Sequence, residues 1–477
     1  MKKIKYIIGV SAMAFSLVVV SCKSPKPLEN NTIKNIPASF SNTKDSTNSA
    51  TINWKKYFTD ANLVTLIDIS LKNNMDMSMA LQRIEAARAG LRLSKNAMLP
   101  SVNANVSFLQ RKFGYYTMDD AGNRTTEIEP GKIVPTHLPD YFVGLQTSWE
   151  IDVFGKLRNK KKAAAARFLA SVEGKNVVVT NLIADLANAY YELLALDSEL
   201  DIIMETILLQ ENALELIKAQ KEAGVVNEIA VQQFQAQVAN SKAMEFEVRQ
   251  EITESENTIN FLMGRYPQPI ARNKTELNNM LPFNPTTGIP SDLLQNRPDI
   301  RQAEFELMAS HLDVKAAKAA FYPSLNINGS IGFQAYKAAF LFTDPQSLAY
   351  SLFGGLMAPL INRNAIKAEF KTANATQQES LFNYQKSILN GYLEVYNEMA
   401  RIKNLDSIVS FKTEQATALT KSIETSSELF KTGRATYVEV LMIQKGSLES
   451  KLELIDVKKR QYNAVVDIYK ALGGGWR

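Results

Sequence analysis

The chain has 477 residues, 45% hydrophobic and 22% charged, which is ample for a large core and belongs to no disordered or disulfide-rich class. Its lone cysteine, Cys22, excludes an internal disulfide. The formal charge of +5 falls to +2 once a leader carrying three lysines is removed, a near-neutral balance that offers no footprint for nucleic acid.

Residues 1–21 form that leader. Lys2, Lys3 and Lys5 precede an apolar run from Tyr6 to Val20, too short for a permanent membrane-spanning helix and right for a secretory signal peptide. Small residues then lead through Val19-Val20-Ser21 into Cys22, as at a bacterial lipoprotein cleavage site, so acylation of Cys22 is expected. Residues 22–53 read as a lipid-anchored tether, rich in Ser, Thr, Asn and Pro with little to bury. No later stretch reaches 18 consecutive apolar residues, which excludes an inner-membrane pump.

The remainder is a duplicated unit, expected over 54–290 and 291–477. Lys95 to Ser107 aligns with Lys318 to Ser330 at an offset of 223, with seven identities that include Pro100 and Pro323. Gly224 aligns with Gly433, and Met263-Gly264 with Leu472-Gly473, at an offset of 209. A longer loop in the first half, Gly114 to Asp140, accounts for the change of offset.

Each half predicts the same order of elements. A helical segment (about 60–99; about 291–322) stops at Pro100 or Pro323, because proline cannot continue a helix. Two strands follow, at about 101–112 and 140–152 in the first half and about 324–336 and 347–358 in the second. A very long helix over about 155–222 or 362–431 comes next, spanning on the order of 100 Å at about 1.5 Å per residue, then a glycine turn and a shorter helix. Such lengths suit coiled-coil walls.

The strands carry the membrane signal. Val102, Ala104, Val106 and Phe108 alternate with Asn103, Asn105 and Ser107, while Leu325, Ile327 and Ile331 alternate with Asn326, Asn328 and Ser330. Tyr141, Val143, Leu145 and Trp149 alternate with Gly144, Gln146, Ser148 and Glu150, placing an aromatic near each end, as in a lipid-facing strand. A half-buried soluble sheet gives the same alternation. The fourth segment is weaker, with Gly354-Gly355 and mixed faces. Four strands cannot close a barrel, and open edges are not tolerated in hydrocarbon, so chains must associate.

Leu293 to Glu304 (LLQNRPDIRQAE), Phe321-Tyr322-Pro323-Ser324, Ala471 to Trp476 (ALGGGW) and Trp149 to Arg158 (WEIDVFGKLR) resemble the outer-membrane efflux protein family, the TolC-like and OprM-like ducts. The resemblance runs from about Trp54 to the C-terminus. It implies an α+β membrane protein: a homotrimer whose 12-stranded β-barrel in the outer membrane continues into a long periplasmic α-helical coiled-coil barrel. By the same resemblance the duct is an outer-membrane lipoprotein without cofactor or chemistry of its own. It would conduct drugs or other small toxic compounds delivered by an inner-membrane pump through a periplasmic adaptor. A type I protein-secretion duct would share these features; a periplasmic coiled-coil scaffold or the adaptor itself would not need the lipid-facing strands.

The turns Gly224, Val225, Asn227 and Gly433, Ala435, Thr436 end the long helices and, by resemblance, form the adaptor-contacting tips; helix capping alone explains the two glycines. In TolC-like ducts an acidic residue follows the second turn, and Glu439 takes that place, six residues after Gly433. Three copies around an axis would repel each other and favour cations. Arg434 could pair with a carboxylate across the tip and latch it; a solvated helix end is the bland alternative for both. The next acidic position of many relatives is Met442 here. Lys156, Arg158, Lys160, Lys161 and Lys162 crowd a helix start, where lipid phosphate or solvent would be their partner. His137 and His311 are the only histidines, and no zinc spacing or phosphate loop occurs. Met75, Met77 and Met79 are spaced for packing rather than for a metal.

Overall fold

The computed structural model describes Pro37, Phe40 and residues 49–273, 287–359 and 363–476; the leader, Cys22 and most of the tether lie outside the described residues. These residues fall into two compact units, each drawing on both repeats. One holds 86–168 and 306–381; the other holds the preceding residues up to 85 together with 169–305 and 382–477.

The first unit contains a four-stranded antiparallel sheet in chain order: β1 (Ser101–Arg111), β2 (Leu138–Ile151), β3 (Ser324–Ala335) and β4 (Leu348–Met357). The two repeats meet at the β2–β3 pairing. Register builds one apolar face from rows such as Val106, Val143, Phe333 and Leu348. On the opposite face the Ser330 and Ser351 hydroxyls lie 2.8 Å apart, and the Gln334 amide donates to both Asp140 oxygens at 3.0 and 2.8 Å. β4 is in phase after all: Leu348, Tyr350, Leu352 and Leu356 join the apolar face. Its faces look mixed in sequence because Phe353 and Met357 fall on the other side, and only pairing with β3 separates them. β1 and β4 have no further strand partner among the described residues.

Gly144 and Gly332 stand opposite each other where β2 and β3 approach closely. A Cβ on Gly332 would lie 2.4 Å from the Val143 carbonyl oxygen, so neither glycine admits a side chain without separating the strands. Beyond the sheet, the long β1–β2 loop is tied to the β3–β4 loop through Glu129. It accepts from Lys132 Nζ at 2.7 Å, from Lys337 Nζ at 2.5 Å and from the Tyr336 hydroxyl, which together pull its carboxyl from 4.5 to about 2.

The helices longer than two turns are α1 (Ala61–Asn73), α2 (Met75–Asn96), α3 (Lys156–Glu222), α4 (Glu228–Leu262), α5 (Pro298–Ala319), α6 (Asn364–Lys431) and α7 (Tyr437–Ala471). The single helix expected over about 60–99 is divided at Asn74, whose backbone N–H closes α1 on Ser70 and whose side chain accepts from Met77 N at 3.1 Å to open α2. In the second unit a core of Tyr57, Phe58, Leu63, Ile67, Leu186, Tyr190 and Leu193 is fully buried. The Tyr57 ring stacks on Tyr469 with centroids 4.0 Å apart, and its hydroxyl donates to the Val465 carbonyl at 2.7 Å.

Repeat symmetry persists in fine detail here. α4 and α7 both end in Schellman turns, at Gly264 (φ 66°) and Gly473 (φ 90°), and each glycine packs on a carbonyl, that of Asn73 or of its repeat equivalent Asn296. Asn74 Nδ2 donates to the Leu262 carbonyl at 2.9 Å, while Arg297, at the matching place, donates to the Ala471 carbonyl at 2.7 Å.

Candidate functional site

The two glycine turns are brought together at one end of the second unit by a shared apolar cluster. Leu214 and Ile217 from α3, Val231 and Phe234 from α4, and Val440 from α7 are buried in it, with Phe430 of α6 packed against them. Both long helices stop for the same reason. Gly224 (φ 73°) and Gly433 (φ 74°) take the left-handed conformation at the end of a Schellman turn, closed by Val225 N to Gln220 O at 2.9 Å and by Arg434 N to Leu429 O at 2.8 Å. A Cβ at either glycine would meet nothing within 4 Å, so conformation rather than space demands glycine.

The following helices start differently in the two repeats. Asn227 caps α4 by accepting from Ala230 N at 3.2 Å. Thr436 caps α7 with a reciprocal pair: its hydroxyl accepts from Glu439 N at 3.3 Å, while Glu439 Oε2 accepts from Thr436 N at 2.6 Å and from its hydroxyl at 2.9 Å. This is a capping box, and the Thr436-Tyr437-Val438-Glu439 spacing announces it in sequence, although the acidic position after the turn draws attention first. The Thr436 N–H and hydroxyl hold the Glu439 carboxyl below its usual range. The repeat equivalent of Glu439 is Ala230, fully buried in the shared cluster.

Arg434 is exposed, and among the described residues it has no ion-pair partner within its own chain; Glu439 is engaged with Thr436 instead. Glu228, the acid of the first turn, pairs with Lys221. Val225 and Met442 are exposed at 69% each, leaving apolar surface beside the turns. The turn holding Gly433, Arg434, Ala435 and Thr436, with Glu439, and the turn holding Gly224, Val225 and Asn227 therefore both adjoin this cluster, through Phe430, Tyr437 and Val440 and through Val226 and Ala230.

The basic start of α3 is partly answered by its own chain. Asp152 accepts from Leu157 N at 3.1 Å and Arg158 N at 2.7 Å, and Arg158 Nε lies 3.1 Å from it; Lys156 pairs with Glu150 at 2.6 Å. Partial burial works against the charged form of Asp152, but these N–H groups and the guanidinium prevail and lower its pKa. An aspartate just ahead of the helix is the sequence signal for this anchor. Of the three methionines, Met77 packs against the core while Met75 and Met79 are exposed.

The sequence model described as "Outer membrane efflux protein" matches residues 66–265 and 289–474, most of both repeats. The chain belongs to the outer membrane efflux protein family. It is 27% identical over 428 residues to the cation efflux system protein CusC of Escherichia coli O6:H1, covering 89% of this chain and 88% of that protein. It is 29% identical over 427 residues to the solvent efflux pump outer membrane protein SrpC of Pseudomonas putida, covering 88% and 87%. A crystal structure of a membrane protein from Pseudomonas aeruginosa superposes with a TM-score of 0.84 at 25% identity over 94% of this chain and 99% of that one. The open state of the Neisseria gonorrhoeae MtrE outer membrane channel superposes with a TM-score of 0.81 at 23% identity over 95% and 98%.

The fold is thus the TolC-like one, with four strands per chain joined to long coiled-coil helices. The protein is an outer-membrane efflux channel with a periplasmic helical extension, and it is not an enzyme.

Proposed function

We propose that the channel works as a homotrimeric exit duct that passes drugs or other small toxic compounds from an inner-membrane pump, through a periplasmic adaptor, to the exterior. The observation that carries this reading is the open sheet: among the described residues β1 and β4 end it unpaired, with an apolar face that suits outer-membrane lipid. Exposed strand edges cannot persist in hydrocarbon, and three copies supply the 12 strands of a closed barrel. Acylated Cys22 would anchor each copy. The names of the relatives, for cation and solvent efflux, support a small toxic solute as cargo.

The tip turns are proposed to meet the adaptor through Gly224, Val225, Asn227, Gly433, Ala435 and Thr436, and Glu439 and Arg434 to form the gate. Both Thr436 bonds land on Oε2 of Glu439, leaving Oε1 unbonded among the described residues, and the lowered pKa favours the charged carboxylate. Three such charges around a narrow axis resist full closure, and Arg434 from a neighbouring copy is the counter-charge that would latch them. Native mass spectrometry of the detergent-extracted protein tests the assembly: a mass of three acylated chains is expected. A monomer, or an unmodified Cys22 in the membrane fraction, overturns it. Loss of solute efflux on deleting the gene, restored by the wild-type chain, tests the cargo; retained efflux refutes it.

A further inference from the structure

The two repeats place different residues at one equivalent position, and the difference leaves a pocket. In the second repeat Arg297 fills the space: its guanidinium bonds Asp299 at 3.0 and 2.7 Å, Glu394 at 2.6 Å and the Ala471 carbonyl at 2.7 Å. Gly391 makes room for it, since a Cβ there would lie 3.0 Å from Nε. By the offsets of 223 and 209, the first repeat has Asn74 for Arg297, Asp76 for Asp299, Asp185 for Glu394, Leu262 for Ala471 and Leu182 for Gly391. The acceptors are therefore kept while the cation is gone.

Asn74 reaches the Leu262 carbonyl and goes no further, and a pocket of about 270 Å³ lies beside it. Asp76, Asp185, Met79, Leu182 and Leu262 line it, with Arg83 also on its wall. Among the described residues neither Asp76 nor Asp185 has an ion pair within 4.0 Å or a hydrogen bond to its carboxylate, Lys470 acting on Asp185 only from further off, and Arg83 pairs with neither. Partial desolvation against the pocket wall raises the pKa of Asp185 despite the pull of Lys470, with Asp467 adding to the rise, while the side chain stays open to solvent. With Lys470 and Asp467 beside Asp185, three carboxylates face two cations and leave a single net negative charge, while Leu182 and Met79 offer apolar contact.

We propose that this pocket binds a small organic monocation, a guanidinium or primary ammonium on a short alkyl chain, with Asp76 and Asp185 taking the charge and Leu182 and Met79 the chain. The repeat-related Arg297 is the internal precedent for a guanidinium between these acceptors. The pocket belongs to a single chain and does not depend on the gate or on the cargo of the duct.

Calorimetric titration of the full-length protein in detergent with n-butylguanidinium chloride tests this, with neutral n-butylurea as the isosteric control. Saturable binding of the cation alone is expected, weakened about tenfold or more by Asp76→Asn and by Asp185→Asn, because charge-assisted bonds are the strong ones. The double variant Asn74→Arg with Leu182→Gly rebuilds the second-repeat arrangement; it is expected to abolish probe binding. Absence of saturable binding, equal affinity for butylurea, or affinity unchanged in both asparagine variants overturns the proposal. Should the double variant fail to fold, the two asparagine variants, at exposed positions, still decide it.

Discussion

Arg297 donates to Glu394 at 2.6 Å while chelating Asp299, and so ties the start of α5 to the middle of α6. The same guanidinium reaches the Ala471 carbonyl at the end of α7, and next to it the Trp476 indole N–H donates to the Asn296 carbonyl at 2.9 Å. Burial works against the Arg297 charge, yet the two carboxylates raise its pKa, so the ion is kept. One side chain thereby joins three elements that are far apart in sequence.

Arg297→Ala is expected to destabilise the protein by about 3 kcal/mol, since it removes charge-assisted bonds from a buried group and leaves a cavity against Gly391. Arg297→Lys should recover only part of this, because one ammonium cannot match the planar fork that serves two carboxylates and a carbonyl. Thermal unfolding of the purified protein measures both.

The four Schellman glycines divide into two classes. Gly224→Ala and Gly433→Ala should each cost about 1 kcal/mol, the penalty of a positive φ in open space. Gly473→Ala and Gly264→Ala add a collision, with Cβ at 2.5 Å from the Asn296 carbonyl oxygen or 2.4 Å from that of Asn73, and should cost about 3 kcal/mol or more. Comparing Tm across the four variants checks the order.

At the tip, Glu439→Gln keeps an oxygen to accept from Thr436 and removes only the charge. Single-channel recordings should show the cation preference lost with the helix start intact. Glu439→Ala loses both, so hydrogen exchange at 437–440 should quicken as well. Unchanged ion selectivity in the glutamine variant would sink the gate assignment.

Glu199 contributes a pH dependence to stability. Burial raises its carboxyl from 4.5 to about 7, against Lys459 and with the help of Glu251, Glu192 and Asp456. A carboxyl whose folded-state pKa is raised favours the folded state while protonated, and that advantage is lost as pH rises from about 4.5 through about 7. Glu199→Gln should therefore raise Tm by a few degrees at pH 8 and leave it nearly unchanged at pH 4. Melting curves across that range provide the check.

How far the sequence reads depends on the range of the forces at each position. Pro100 and Pro323 end helices because a ring replaces an N–H, Gly224 and Gly433 end helices because only glycine enters the left-handed region freely, and β1 to β3 alternate with period two. These are local properties of a residue and its neighbours, so the duplicated plan, the strands and the turns are legible without coordinates. The capping box of Glu439 is equally local, written in its three-residue spacing from Thr436.

Other features depend on residues hundreds of positions apart. The face of each β4 residue follows from pairing with β3, because its apolar residues occur at both parities. Arg297 finds Glu394 and Ala471 only when α5, α6 and α7 pack, and nothing in the local sequence marks Asp76 and Asp185 as the matching acceptors that Asn74 leaves unfilled. Backbone conformation and periodicity are written residue by residue. Which polar group meets which is a property of packing, and there the two repeats, alike in plan, diverge.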